Sequence, residues 1–87
     1  MLKIYGSMLC RDCVDCRADL DREKVAYEFL DFAEELVNLK EFLKLREDAL
    51  FDEVKKAGGI GIPCIVREDG TITLDWTEYV SQAKPVC

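Results

Sequence analysis

The sequence predicts a small α/β domain: a four-stranded mixed sheet with helices on both faces. Three observations predict it. Short apolar runs bearing aromatics, at residues 2–6 and 25–32, flank a charged segment with helical periodicity, the pattern of a crossover between parallel strands. An apolar run at residues 59–66 is followed by Asp69-Gly70 and a second short run at 71–74, the pattern of a hairpin. Between these halves lies a long helical stretch, residues 34–56. The expected order is β-α-β-α(α)-β-β-α.

Each element has its own signal. Leu2 to Gly6 is a short strand ending in the turn pair Gly6-Ser7. From Arg11 to Lys24, a 100° wheel puts Cys13, Cys16 and Leu20 on one face with Val14 and Ala18 beside it, while Arg11, Asp15, Asp19 and Arg22 look outward. Val25 to Phe32 carries the β-branched and aromatic residues of a second strand. Leu36, Leu39, Phe42 and Leu43 recur at helical spacing and read as core, up to Leu45. A break is expected near Glu47, with Asp48 capping a shorter helix that Gly58 and Gly59 stop. Pro63 suits the early part of a strand over 59–66, where its missing donor is tolerated. Residues 76–83 suit a closing helix capped by Asp75 or Thr77. One domain over residues 1–84 and a short tail at 85–87 account for the chain, with no linker or repeat.

Hydrophobic residues make up 49% and charged residues 34%, the balance of an ordinary globular domain rather than a disordered one. A net charge of −6 repels phosphate backbones and anionic lipid, so neither nucleic acid nor a membrane is an expected partner. Met1 to Tyr5 reads as strand rather than secretory leader, which makes the cytoplasm the expected address and a monomer the simplest state.

Chemistry is concentrated in the cysteines. There are five, an odd count, and three are packed into Cys10-x-x-Cys13-x-x-Cys16, too close to staple distant parts of a fold. Without histidine, every Cys-His zinc scheme and every Cys-His nucleophile pair is excluded. What remains is redox exchange or all-thiolate metal binding. Cys10 falls at the start of the first helix, where free amide donors and the helix dipole favour a thiolate; Arg11 adds to that field and Asp12 opposes it. Helical residues three apart lie about 5–6 Å from each other, within disulfide reach. Cys13, deeper in the helix, is then placed to resolve a mixed disulfide on Cys10. The metal alternative draws on Cys10 and Cys13 with Cys16 or Cys64, holding zinc or an iron–sulfur cluster. On helix-face and strand arguments Cys16 and Cys64 read as core filler, and Cys87 as a terminal residue without a task. Gly58-Gly59-x-Gly61 precedes a strand instead of following one, so it is no phosphate loop.

Residues 3–20 resemble the opening of a glutaredoxin: a strand ending in Ile4-Tyr5, a Cys-x-x-Cys five residues after the tyrosine, then a helix. Gly61-Ile62-Pro63 resembles the segment that holds the cis-proline of that family. The resemblance implies a thioredoxin-like fold of glutaredoxin type and a thiol–disulfide oxidoreductase acting on small-molecule or protein disulfides. It implies Cys10 as nucleophile, Cys13 as resolving thiol, a cis bond before Pro63, and backbone pairing of a substrate with Ile62. Glutathione, or a donor of the thioredoxin-reductase type, is the implied electron source, with no resident cofactor. Where glutaredoxins commonly carry Cys-Pro-Tyr-Cys this chain has Cys10-Arg11-Asp12-Cys13, and their Gly-Gly-x-Asp element is replaced by Leu74-Asp75-Trp76-Thr77-Glu78. Arg11, Ile62, Pro63, Trp76 and Thr77 are the substrate-contact candidates.

Overall fold

In the computed structural model, which describes residues 1–79, four strands form one sheet. They are β1 (Leu2–Gly6), β2 (Tyr27–Asp31), β3 (Cys64–Val66) and β4 (Ile72–Thr73), in the spatial order β2-β1-β3-β4. β1 and β2 run parallel, with Ile4 opposite Phe29. β3 returns antiparallel to β1, with Ile65 opposite Ile4 and Cys64 opposite Tyr5, and β4 pairs antiparallel with β3. The crossover between β1 and β2 is helix α1 (Arg11–Arg22), and the segment between β2 and β3 contains α2 (Leu36–Leu45), a 3-10 turn (Ala49–Phe51) and α3 (Asp52–Lys56).

Strand alternation divides the core between the two faces of the sheet. On one face Leu2, Ile4 and Ile65 pack with Cys16 and Leu20 of α1, and Trp76 and Tyr79 close that layer. On the other, Tyr5 and Cys64 pack with Phe42 of α2 and with Phe51. Phe42 and Phe51 are fully buried and meet edge to face, their ring centroids 5.8 Å apart; each such side chain contributes about 1.5–3 kcal/mol by burial. Helices therefore cover both faces, as the element order predicts.

The capping signals act where the sequence puts them. Asp48 accepts a hydrogen bond from the Leu50 amide (2.9 Å) at the start of the 3-10 turn, and Asp75 accepts one from the Thr77 amide (2.9 Å). Gly58, at φ +79°, ends α3 with the Gly59 amide returned to Val54 O.

Four expectations are corrected. Residues 59–63 are not strand: Gly61 sits at φ +95°, outside any pleat, and only Cys64–Val66 joins the ladder. The stripe from Leu36 to Leu45 is only partly core. Asn38 takes an inward position, its side-chain amide donating to Asp31 O (3.0 Å), whereas Leu36 and Leu43 are 63% and 50% exposed. Asp19 turns inward rather than outward, because it accepts the indole N–H of Trp76 (2.9 Å) and pairs with Arg22 (3.0 Å). The closing helix is a 3-10 segment, Trp76–Tyr79, as far as it is described; the rest of that expected helix, the 85–87 tail and Cys87 lie outside the described residues.

Candidate functional site

At the carboxyl end of β1 the chain makes a tight turn into α1. Ser7 organises it: its Oγ accepts from the Leu9 amide (3.1 Å) and its carbonyl from the Cys10 amide (3.0 Å). Arg17 anchors the turn from below, donating to Met8 Sδ (3.2 Å) and lying 4.7 Å over the Phe29 ring. Cys10 is the N-cap residue of α1 in extended conformation, and its side chain makes no capping bond, which leaves the sulfur free for other contacts.

One of those contacts is Cys13. The Cys13 thiol is hydrogen-bonded to the Cys10 side chain, and the Ser7 amide also points at the Cys13 sulfur. Cys13 is fully buried, and its Sγ lies so close to Gly6 that a Cβ there would stand 2.6 Å from it. Gly6 is thus the floor that lets this sulfur sit beneath Cys10. Burial pushes the Cys13 thiol up to about 12 from its ordinary 9.0; the hydrogen bond with Cys10 adds to the rise and the Ser7 amide opposes it. Cys13 is accordingly a thiol at neutral pH, placed to donate its proton toward Cys10.

Cys10 opens into a groove of about 540 Å³ lined by Asp12, Val54, Ile60, Ile62, Leu74 and the glycines of the 58–61 loop. The far wall is held by Arg46, which follows α2 and donates from Nε to Ile60 O and from a terminal nitrogen to Gly59 O, both at 2.8 Å. Phe51 supports the wall from inside: a Cβ on Gly61 would stand 2.6 Å from its ring. The Ile62–Pro63 bond is cis, the isomer expected of it.

The structure brings Cys10, Cys13 and Ile62 to this place, with buried Pro63 directly after Ile62. It does not bring the other candidates. Arg11 points along the helix surface to Asp15 (3.3 Å), so its neighbour Asp12 lines the groove instead. Trp76 is packed into the layer under α1 by its bond to Asp19, and Thr77 bonds to Asp75 through both amide and hydroxyl. Cys16 and Cys64 lie in the two opposite core layers, each pushed up to about 12 chiefly by burial. Among the described residues no three cysteine or carboxylate side chains come together as a metal-holding group.

Sequence reasoning missed Arg46, Val54, Ile60 and Leu74. Arg46 carried no signal, since its partners lie 13 and 14 residues away in a loop. Val54 and Leu74 looked like ordinary apolar residues of a helix and a strand. Ile60 carried a trace: an aliphatic residue among three glycines is unusual for a solvated loop.

A small α/β protein with a hydrogen-bonded thiol pair at the mouth of an apolar groove is the class these features define. The sequence is 39% identical over 73 residues to an uncharacterized protein of Haemophilus influenzae, an overlap of 83% of this chain and 85% of that one, and the chain belongs to that protein's family. No protein-family model matches the sequence, and no solved structure does.

Proposed function

We propose that the protein is a thiol–disulfide oxidoreductase of glutaredoxin-like build on a thioredoxin-type fold, attacking with Cys10 and resolving with Cys13. The observation that carries the reading is the position of the two sulfurs. One lines an open groove, and the other lies buried beneath it, in hydrogen-bond contact and protonated. Parallel β1 and β2, antiparallel β3 and β4, and a loop ending in Ile62-Pro63 across from Cys10 are the arrangement that the resemblance implies.

The chemistry runs in two exchanges. The Cys10 thiolate attacks one sulfur of a substrate disulfide; a new S–S bond forms to Cys10 and the other substrate sulfur leaves as a thiolate. Cys13 then loses its proton and attacks Cys10 Sγ, forming the Cys10–Cys13 disulfide and releasing the second substrate thiolate. The substrate gains two electrons and the protein loses them. An external dithiol, or two monothiols of the glutathione class, reverses the sequence and restores both thiols. Two sealed cysteines, Cys16 and Cys64, take no part.

Steady-state reduction of an uncharged disulfide such as hydroxyethyl disulfide tests this. Cys10→Ser lowers turnover by about a thousandfold or more, because the attacking sulfur is gone. Cys13→Ser leaves the first exchange intact and accumulates a mixed disulfide on Cys10, seen as a mass increase that dithiothreitol removes. A Cys10→Ser protein with wild-type turnover refutes the reading.

A further inference from the structure

The geometry points to a substrate class for this groove: an extended segment of a disulfide-bonded protein in which the reacting cysteine is flanked by an aliphatic residue and a basic one, in preference to glutathione disulfide. This rests on the oxidoreductase reading and adds to it what the enzyme takes. Three features carry the inference.

The first is the lining. Val54, Ile60, Ile62 and Leu74 are aliphatic, and the loop glycines present backbone rather than side chains. Among the described residues no lysine or arginine lines the groove, and Asp12 is the single charged one there. Glutathione disulfide has more carboxylates than ammonium groups, so it meets an aliphatic wall, an acid in the lining and a chain of net charge −6.

The second is the state of Asp12. Arg11 is held on Asp15 and Arg46 on the carbonyls of Gly59 and Ile60. Among the described residues nothing hydrogen-bonds or ion-pairs with the Asp12 carboxylate. An unpaired acid beside the attacking sulfur is complementary to a cation brought by the ligand.

The third is the rim. Leu9, immediately before Cys10, is 93% exposed, and Ile60 across the groove is 57% exposed. Two bare aliphatic side chains flanking one sulfur form a surface that a small polar tripeptide does not cover and an apolar polypeptide segment does.

Single-turnover kinetics with the pre-reduced full chain test the assignment. The probes are S-(2-thiopyridyl) derivatives of Leu-Cys-Lys and Leu-Cys-Glu peptides, of Ser-Cys-Lys, of glutathione and of mercaptoethanol. Release of the neutral pyridine-2-thione is followed by absorbance. Each rate is divided by that of dithiothreitol with the same probe, which removes intrinsic differences between the disulfides. The Lys probe is expected to exceed the Glu probe by about twentyfold or more, since one contact between unit charges in water is worth about fivefold and the two probes set an attraction against a repulsion. Glutathione falls with the Glu probe, and Ser-Cys-Lys is slower than Leu-Cys-Lys by severalfold. Asp12→Asn brings the Lys-to-Glu ratio down to about twofold. Equal rates for the Lys and Glu probes, a glutathione probe faster than either, or an unchanged ratio in Asp12→Asn overturns the substrate assignment. The uncharged mercaptoethanol probe separates the two levels: if it reacts through Cys10 while the peptide ratios fail, the oxidoreductase reading stands and the inference falls. If Cys10→Ser reacts with it as fast as wild type, both fall.

Discussion

Cys10 and Cys64 are the same side chain in opposite surroundings. Cys10 ends a turn that uses its own backbone bonds to present a sulfur at the edge of a groove. Cys64 lies on β3, paired opposite Tyr5 and enclosed by Phe42 and Phe51. The chemistry available to a thiol is set by which of these surroundings it occupies, and position relative to the strand ends decides that. A side chain within a central strand is sealed by the layer packed on it, whereas one just beyond a strand's carboxyl end meets the helix start and the open space beside it.

Native-state alkylation is the strongest way to break that contrast. With iodoacetamide under native conditions Cys10 is modified promptly. Cys64, Cys13 and Cys16 wait for the chain to open, which for a domain of ordinary stability slows them by about a thousandfold or more. Peptide mapping after timed quenching reads the order directly. Comparable labelling of Cys64 and Cys10 would mean that the two environments are not different in kind.

Alkaline pH sharpens the comparison by turning burial into a stability cost. The thiols of Cys13, Cys16 and Cys64 are raised from 9.0 to about 12, and the Tyr5 hydroxyl from 10.0 to about 12 by burial and by Glu41, whose carboxylate accepts its hydrogen bond. Unfolded chains release these protons from about pH 9 to 10 upward, while the native state retains them until about 12. The contribution of each group is therefore complete below pH 9 and is lost as the pH climbs toward 12. The expected slope is at most about 1.4 kcal/mol per pH unit for each group. Urea midpoints measured from pH 7.5 to 11 should fall, and Cys64→Val should flatten part of the fall. A midpoint that stays level over that range contradicts the sealed state of these thiols.

What the sequence made legible follows the same division. The order of strands and helices along the chain, the helix carrying Cys13 and Cys16, the break at Asp48 and the position of Cys10 could be read because each rests on local spacing or on a cap. The far wall of the groove could not. It depends on Arg46 reaching residues 59 and 60 and on Phe51 filling the space under Gly61, and on the near side Asp12 rather than Arg11 lines the groove. Those are tertiary choices between equally plausible neighbours, and periodicity does not distinguish them. The same limit explains Asn38 and Asp19, polar residues turned inward by hydrogen bonds to other elements, Asn38 to Asp31 O and Asp19 to the Trp76 indole.

Arg46 offers the smallest and most selective test, because it touches one side of the comparison and not the other. Its two bonds to the 59 and 60 carbonyls join the end of α2 to the groove wall and make no contact with Cys64. Arg46→Ala is expected to lower stability by only about 1 kcal/mol, since the guanidinium is partly solvated, a drop of roughly 5 °C in Tm for a domain this size. Amide exchange over residues 58–62 should rise, and KM for a groove-binding peptide disulfide should rise with it, while the protection of Cys64 changes only by the small global loss. Arg46→Lys, a single point donor in place of a fork, should recover part of the protection and not all of it. If exchange in the 58–62 loop is unmoved by Arg46→Ala, the wall is held by Phe51 packing alone, and the groove facing Cys10 is a consequence of the core rather than of a dedicated clamp.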